Sequence, residues 1–187
     1  MGDDACVTDL LPPRPIVGVL HPGAMGAAVG CALKPVASAV IWAAAGRSVR
    51  TSKRAELSDL VGVPDLAELV RRADVVVSLC PPMAAREVAE EVAAAAAGRE
   101  AFVFVEANTV SPATVREIAA LLGPDRVVDA ALTGPPAYQV GRTEVWLSGR
   151  AAAAVAALFE GSPFTPRVVG AEPGEASAAA HALRSSD

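Results

Sequence analysis

The sequence is short of the features that mark nucleic-acid binders, membrane proteins and disulfide-stapled secreted domains. Its 187 residues carry 16 Lys+Arg against 21 Asp+Glu, a formal charge of −5, so it has no broad basic field to meet a phosphate backbone. No apolar run reaches the roughly 18–20 residues that a membrane helix needs; the longest candidates, residues 36–45 and 151–159, stop well short. Asp3 and Asp4 stand where a secretory leader would be positive, which leads to the expectation of a soluble cytoplasmic protein. Cys6, Cys31 and Cys80 are odd in number and widely spaced, so reduced thiols are expected rather than a disulfide framework or a zinc site. Lysine is scarcer still, present only as Lys34 and Lys53.

Apolar residues, by contrast, are plentiful. A composition of 52% hydrophobic and 20% charged residues suits one globular core of roughly 150 residues and excludes a chain disordered throughout. Apolar runs at 16–20, 39–45, 74–80, 101–105, 126–132, 144–148 and 166–169 read as strands, the first suited to burial on both faces. Helical stretches separate them. In 24–33, Gly26, Gly30 and Leu33 share one face and allow close approach to a sheet. A short helix carries Leu66, Leu69 and Val70, and 83–97 sets Val88 and Val92 against Arg86, Glu87, Glu90 and Glu91. Ser111-Pro112 opens a helix that Gly123-Pro124 ends, and 150–159 is the last of the series. This alternation predicts an α/β fold, one mainly parallel sheet with helices on both faces.

The first strand–turn–helix reads Val17-Gly18-Val19-Leu20-His21-Pro22-Gly23-Ala24-Met25-Gly26. A glycine turn between a buried strand and a helix lets backbone N–H groups approach a diphosphate at the positive helix end. His21, Pro22, Gly23, Ala24, Met25 and Gly26 are therefore the expected dinucleotide-binding turn, with His21 replacing the first glycine of the usual pattern. The plainer alternative is a turn and a packing contact. His21 either fills the turn over the diphosphate or caps the strand. After the second strand comes Gly46-Arg47-Ser48-Val49-Arg50-Thr51-Ser52-Lys53-Arg54, with no acid before Glu56. A ribose 2′-hydroxyl calls for a carboxylate there and a 2′-phosphate for Arg and hydroxyl donors, so NADP(H) is expected over NAD(H). Arg47 and Ser48 are the first contacts, Arg50 or Lys53 the reserves; the alternative is a solvated basic helix start.

HPGAMG (21–26), GRS (46–48), LCPP (79–82), EANTVSPAT (106–114) and DAALTGPPAYQVGRTEVWLSG (129–149) resemble the β-hydroxyacid dehydrogenase and 6-phosphogluconate dehydrogenase superfamily. Within it the chain is most similar to the branch carrying HPGxMG, which shares a plan with imine reductases. The resemblance spans roughly residues 16–180. It implies a doubly wound Rossmann fold over 16–170 after a flexible lead-in at 1–15. It also implies a nicotinamide cofactor and hydride transfer to or from a small hydroxyacid, carbonyl or imine, in a homodimer. By the same resemblance Leu79, Cys80 and Pro81 flank the adenosine and ribose, Asn108 and Thr109 lie near the nicotinamide, and Thr133 and Gly134 form a substrate loop. Pro135 replaces that loop's second glycine and removes a backbone donor.

Residues 171–187 look like the start of the long helix that leads, in that superfamily, into a helical second domain. The catalytic lysine of that helix falls at Ala180, or at Ala178 if the register slips. The candidate for proton transfer is His181, against the alternative of a histidine on a frayed terminal helix. A non-catalytic or repurposed Rossmann module acting through self-association or a partner is the competing expectation. Cys80 reads as a small buried residue rather than a nucleophile, Asp129 as a helix or turn cap, and Trp42 and Trp146 as core or interface residues.

Overall fold

The computed structural model describes residues 10–99, 101–137 and 140–184. The first nine residues of the expected lead-in, Cys6 among them, lie outside the described residues, as do Tyr138, Gln139 and residues 185–187. The strands are β1 (Ile16–Val19), β2 (Ala39–Ala43), β3 (Val61–Val63), β4 (Val75–Ser78), β5 (Val103–Glu106), β6 (Val127–Thr133), β7 (Thr143–Ser148) and β8 (Phe164–Gly170). The helices are α1 (Ala24–Leu33), α2 (Val49–Leu57), α3 (Leu66–Arg72), α4 (Ala85–Ala95), α5 (Pro112–Leu122), α6 (Ala152–Leu158) and α7 (Glu175–Arg184).

One eight-stranded sheet runs in the order β3-β2-β1-β4-β5-β6-β7-β8. β7 pairs antiparallel with β6 and every other neighbouring pair is parallel. The first six strands therefore follow the Rossmann order 3-2-1-4-5-6. Both faces are covered, and the pleat shows why the strands read as continuous apolar runs. Val17, Val19, Val75, Val77, Val103 and Val105 pack on one side with α1 and α6, whereas Ile41, Val76, Phe104 and Val127 pack on the other with α3, α4 and α5.

Several boundaries differ from the sequence expectations. The strand expected at 74–80 stops at Ser78, because Leu79–Pro82 leave the sheet and the two prolines offer no ladder donor. Pro82–Ala84 is a 3-10 turn, so the expected 83–97 helix spans only Ala85–Ala95. The strand expected at 101–105 is Val103–Glu106, which brings Glu106 into the ladder. β3 was not expected; three residues with a central glycine give too short a pattern to read. The basic stretch after β2 forms α2, with Ser48 as its N-cap. Among the described residues no helix is long and apolar enough to cross a membrane.

Candidate functional site

β1 is the point at which the sheet reverses direction. From it the chain moves outward through β2 and β3, then returns to β4 on the other side of β1. A crevice opens at the C-terminal ends of strands so arranged, where the loops diverge. Here it is a cleft of about 480 Å³ between the β1–α1 turn, the β2–α2 loop and the β4–α4 loop. Its walls include Gly23, Gly26, Arg47, Ser48 and Leu79–Pro81. Most of the expected cofactor contacts line this one hollow; buried Pro22, although part of the turn, does not.

The turn is shaped for close approach. Gly23 is the N-cap of α1 and has no side chain to close over the first-turn N–H groups, and no acid stands in that turn. Those donors have no intrahelical partners and carry the positive end of the helix dipole. A Cβ on Gly26 would collide with the His21 carbonyl oxygen, so Gly26 holds helix and turn together. A Cβ on Gly23 would instead enter open space. The two glycines thus divide the work: one packs, the other leaves the cleft floor bare. The His21 carbonyl also accepts from the Gly23 N–H at 2.7 Å. Burial, and then the Arg47 charge, push the His21 imidazole down to about 4, so the ring is neutral at pH 7. Its Nδ1 is buried with no hydrogen-bond partner.

Arg47 is half-buried at the rim, with Nε 3.4 Å from the Ala43 carbonyl. Ser48 caps α2, its Oγ accepting from the Thr51 N–H at 3.2 Å. Thr51 also lines the cleft and was missed in the sequence; the signal available was its place three residues after a serine cap. The reserves Arg50 and Lys53 do not line it, because the turn of α2 carries them outward into solvent. Cys80 lines the cleft, and its thiol is pushed up chiefly by burial, which fits the small-residue reading.

A buried polar row crosses the sheet beyond the cleft. Ser78, Glu106, Asp129 and Ser148 are paired in register across β4, β5, β6 and β7, and all four are fully buried. Asp129 is the cap that the sequence suggested: it accepts from Gly174 N at 3.1 Å, Ser177 N at 2.7 Å and Ser177 Oγ at 2.7 Å. It thereby pins the start of α7, and Ser148 Oγ adds an acceptor for Ala176 N at 2.9 Å. Glu106 Oε1 accepts from Asn108 N at 3.1 Å and Nδ2 at 2.5 Å, while Oε2 has no partner. Burial pushes Glu106 up to about 7 against the pull of Asn108, with Asp129 adding a smaller push. Glu106 was also missed: its segment was read only for Asn108 and Thr109.

Next to this row is a narrow crevice walled by Asn108, Thr109, Ala131, Ser177, Ala180 and His181. Ala180 is buried and lines it, whereas Ala178 is exposed. His181 Nε2 lies 3.2 Å from the Val110 carbonyl. Asn108, Thr109 and His181 are thus brought together. Thr133 and Gly134 line neither hollow; Gly134 has a φ of +127° and packs against the Arg142 carbonyl. Trp42 is a core residue, and Trp146 lies half-buried with Nε1 donating to Glu144 at 2.9 Å. Among the described residues no cluster of three or more metal-ligating side chains occurs. A further hollow of about 520 Å³, beside Pro124, Gly149 and Pro173, lies at the opposite end of the sheet; of its charged residues, Arg150 and Asp125 are exposed and pair with each other at 3.5 Å, and Glu172 is exposed too.

No protein-family model matches the sequence. An uncharacterized 28.5 kDa protein of Methanothermus fervidus is 32% identical over 89 residues, covering 48% of this chain and 34% of that protein. Among solved structures, a conserved protein of unknown function, described as similar to 3-hydroxyacid dehydrogenases, is 26% identical with a TM-score of 0.76. The match covers 91% of this chain and 63% of that one. The chain has the Rossmann fold of the β-hydroxyacid dehydrogenase superfamily. An imine reductase variant from Myxococcus stipitatus, solved with NAD+, shares the Rossmann domain at TM-score 0.71 and 23% identity, over 92% of this chain and 60% of that one. A reductive aminase from Aspergillus terreus, solved with NADPH and ethyl levulinate, does so at 0.70 and 17%, over 92% and 61%. The chain therefore spans about three-fifths of the length of these solved relatives.

Proposed function

We propose that this Rossmann domain binds NADP(H) in the cleft between β1 and β4 and serves hydride transfer to or from a small hydroxyacid, carbonyl or imine. The observation that carries the reading is the meeting, at the point where the sheet reverses, of an uncapped glycine turn with Arg47 and Ser48. The bare floor at Gly23 and the free first-turn donors of α1 suit a diphosphate. Arg47, Ser48 and Thr51 offer a guanidinium and hydroxyls to a 2′-phosphate, and no carboxylate among the cleft walls competes for a 2′-hydroxyl. Solved relatives of this fold contain both NADPH and NAD+, so the preference for NADP(H) rests on these residues alone.

When bound, the nicotinamide supplies the hydride donor or acceptor. The chain's own part is to hold the diphosphate at α1, keep the wall at Leu79–Pro81 in place, and present Asn108 and Thr109 at the far end. Leu79 and half-buried Met25 narrow the cleft and limit water at its walls. Amide NMR spectra recorded while NADPH is added test the reading. Shifts concentrated at Gly23–Gly26 and Arg47–Thr51 are expected; shifts elsewhere, or none, overturn it.

A second reading, a non-catalytic module of the same fold, is favoured by the crevice at α7. Ala180 is among its buried wall residues, and His181 beside it has its Nε2 at the Val110 carbonyl. Self-association accompanies either reading, since exposed Val168 and Val169 on β8 and Leu183 on α7 suit an apolar contact. Steady NADPH consumption with a carbonyl or imine substrate would rule out the second reading, and light scattering tests the association.

A further inference from the structure

We infer that Glu106 is a positioning residue for the cofactor cleft, acting through Asn108 on the loop that forms its wall. The inference rests on the reading of the cleft as a nicotinamide-cofactor site, and its geometry is independent of that reading.

The orientation of a buried amide links Glu106 to the cleft. Asn108 is 4% exposed and lies between two strands' ends. Its Oδ1 accepts from the backbone N–H of Cys80 at 2.6 Å, and its Nδ2 donates to Glu106 Oε1 at 2.5 Å and to Ser78 Oγ at 3.1 Å. The Cys80 N–H can only donate, whereas Ser78 Oγ can donate or accept and so does not decide the orientation. Glu106 Oε1 does decide it. As an acceptor for both the backbone N–H and the side-chain NH2 of Asn108, it obliges the amide oxygen to face Cys80. That bond ties β5 to the Leu79–Pro81 segment, which leaves the sheet after Ser78 and lines the cleft. A reversed amide would set its NH2 against the Cys80 N–H, two donors facing each other, and the loop would lose its tether.

Glu106 Oε2 is buried with no hydrogen-bond partner among the described residues. Asp129 is the neighbour of Glu106 on β6, the Cys80 thiol approaches from the end of β4, and among the described residues Asn108 supplies the only hydrogen bonds to the carboxyl. A carboxyl so placed works as a neutral acid: Oε1 accepts and Oε2 carries the proton. Glutamine reproduces that pattern, with one acceptor and one donor in the same shape. Leucine fills a similar volume and accepts nothing.

The test compares Glu106→Gln, Glu106→Leu and Asn108→Ala by two readouts, hydrogen exchange at the Cys80 amide and NADPH affinity by fluorescence titration. In Glu106→Leu and Asn108→Ala the Cys80 amide should exchange about tenfold faster or more, and NADPH should bind about tenfold more weakly, the equivalent of one hydrogen bond. Glu106→Gln should hold both within about twofold of the wild type. If Glu106→Leu fails to fold, Asn108→Ala and Glu106→Gln carry the same comparison. A Cys80 amide that keeps its wild-type exchange in Asn108→Ala, or a Glu106→Gln variant that behaves like Asn108→Ala, overturns the inference. If the wild type does not bind NADPH, the functional reading fails while the exchange result still decides the role of Glu106 in holding the loop. Faster exchange without weaker NADPH binding overturns the link to the cofactor.

Discussion

Replacing Glu106 with glutamine makes a quantitative prediction, because the exchange keeps the side chain's shape and its acceptor while removing its proton equilibrium. The folded protein raises this carboxyl from 4.5 to about 7, chiefly by burying it. Between those values the unfolded chain has already released the proton that the folded chain still holds. Stability therefore falls as pH rises through that window, and Glu106 adds no further pH dependence above or below it. At 1.36 kcal/mol per pH unit, the full span corresponds to about 3 kcal/mol, an upper figure for a site that relaxes when charged. His21 works in the opposite sense. Held down at about 4 from 6.5, it makes the fold more stable as pH rises across that interval. Asp129, also raised by burial, faces Glu106 from β6 and adds to the fall. The wild-type curve mixes all three, so the informative quantity is the difference between variant and wild type. Urea unfolding followed by tryptophan fluorescence from about pH 4 to about pH 8 should show Glu106→Gln gaining about 2–3 kcal/mol on the wild type, nearly all of it between pH 4.5 and 7. A flat difference would refute the claim that this carboxyl is held protonated.

Two further outcomes follow from the packing. Gly26→Ala places a methyl group in the His21 carbonyl and should cost about 1–3 kcal/mol in thermal unfolding together with NADPH binding; an unchanged melting temperature would contradict the packing role of this glycine. Asp129→Ala strands the N–H groups of Gly174 and Ser177 and the Ser177 hydroxyl. It should cost about 3 kcal/mol and make α7 exchange its amides well ahead of β6; protection of α7 at the wild-type level would show that the helix is held by other contacts.

What the sequence disclosed is what depends on near neighbours. The strand at β1, the bare turn at Gly23, the packing glycine at Gly26 and the serine cap at Ser111 all lie within a few residues of the signals that announce them. The alternation of strands and helices gave the parallel sheet for the same reason. Long-range partners left no such trace. Asp129 meets Ser177 across 48 positions, and nothing in either segment names the other. Glu106 ends a strand of apolar residues, and only the sheet register shows that it stands between Ser78 and Asp129. Arg50 and Lys53 stood in reserve behind Arg47 as charges, and only the turn of α2 shows that they point outward. Only the docking of α7 against Asp129 shows that Ala180 is buried in the crevice while Ala178 faces outward.

The most direct measurement is a fluorescence titration with NADPH and NADH, on the wild type and on Arg47→Ala. Saturable NADPH binding about tenfold or more tighter than NADH is expected, with that ratio collapsing toward one when the guanidinium is removed. No saturable binding at about millimolar NADPH, or a ratio that Arg47→Ala leaves unchanged, would contradict the assignment of this cleft to a 2′-phosphorylated dinucleotide.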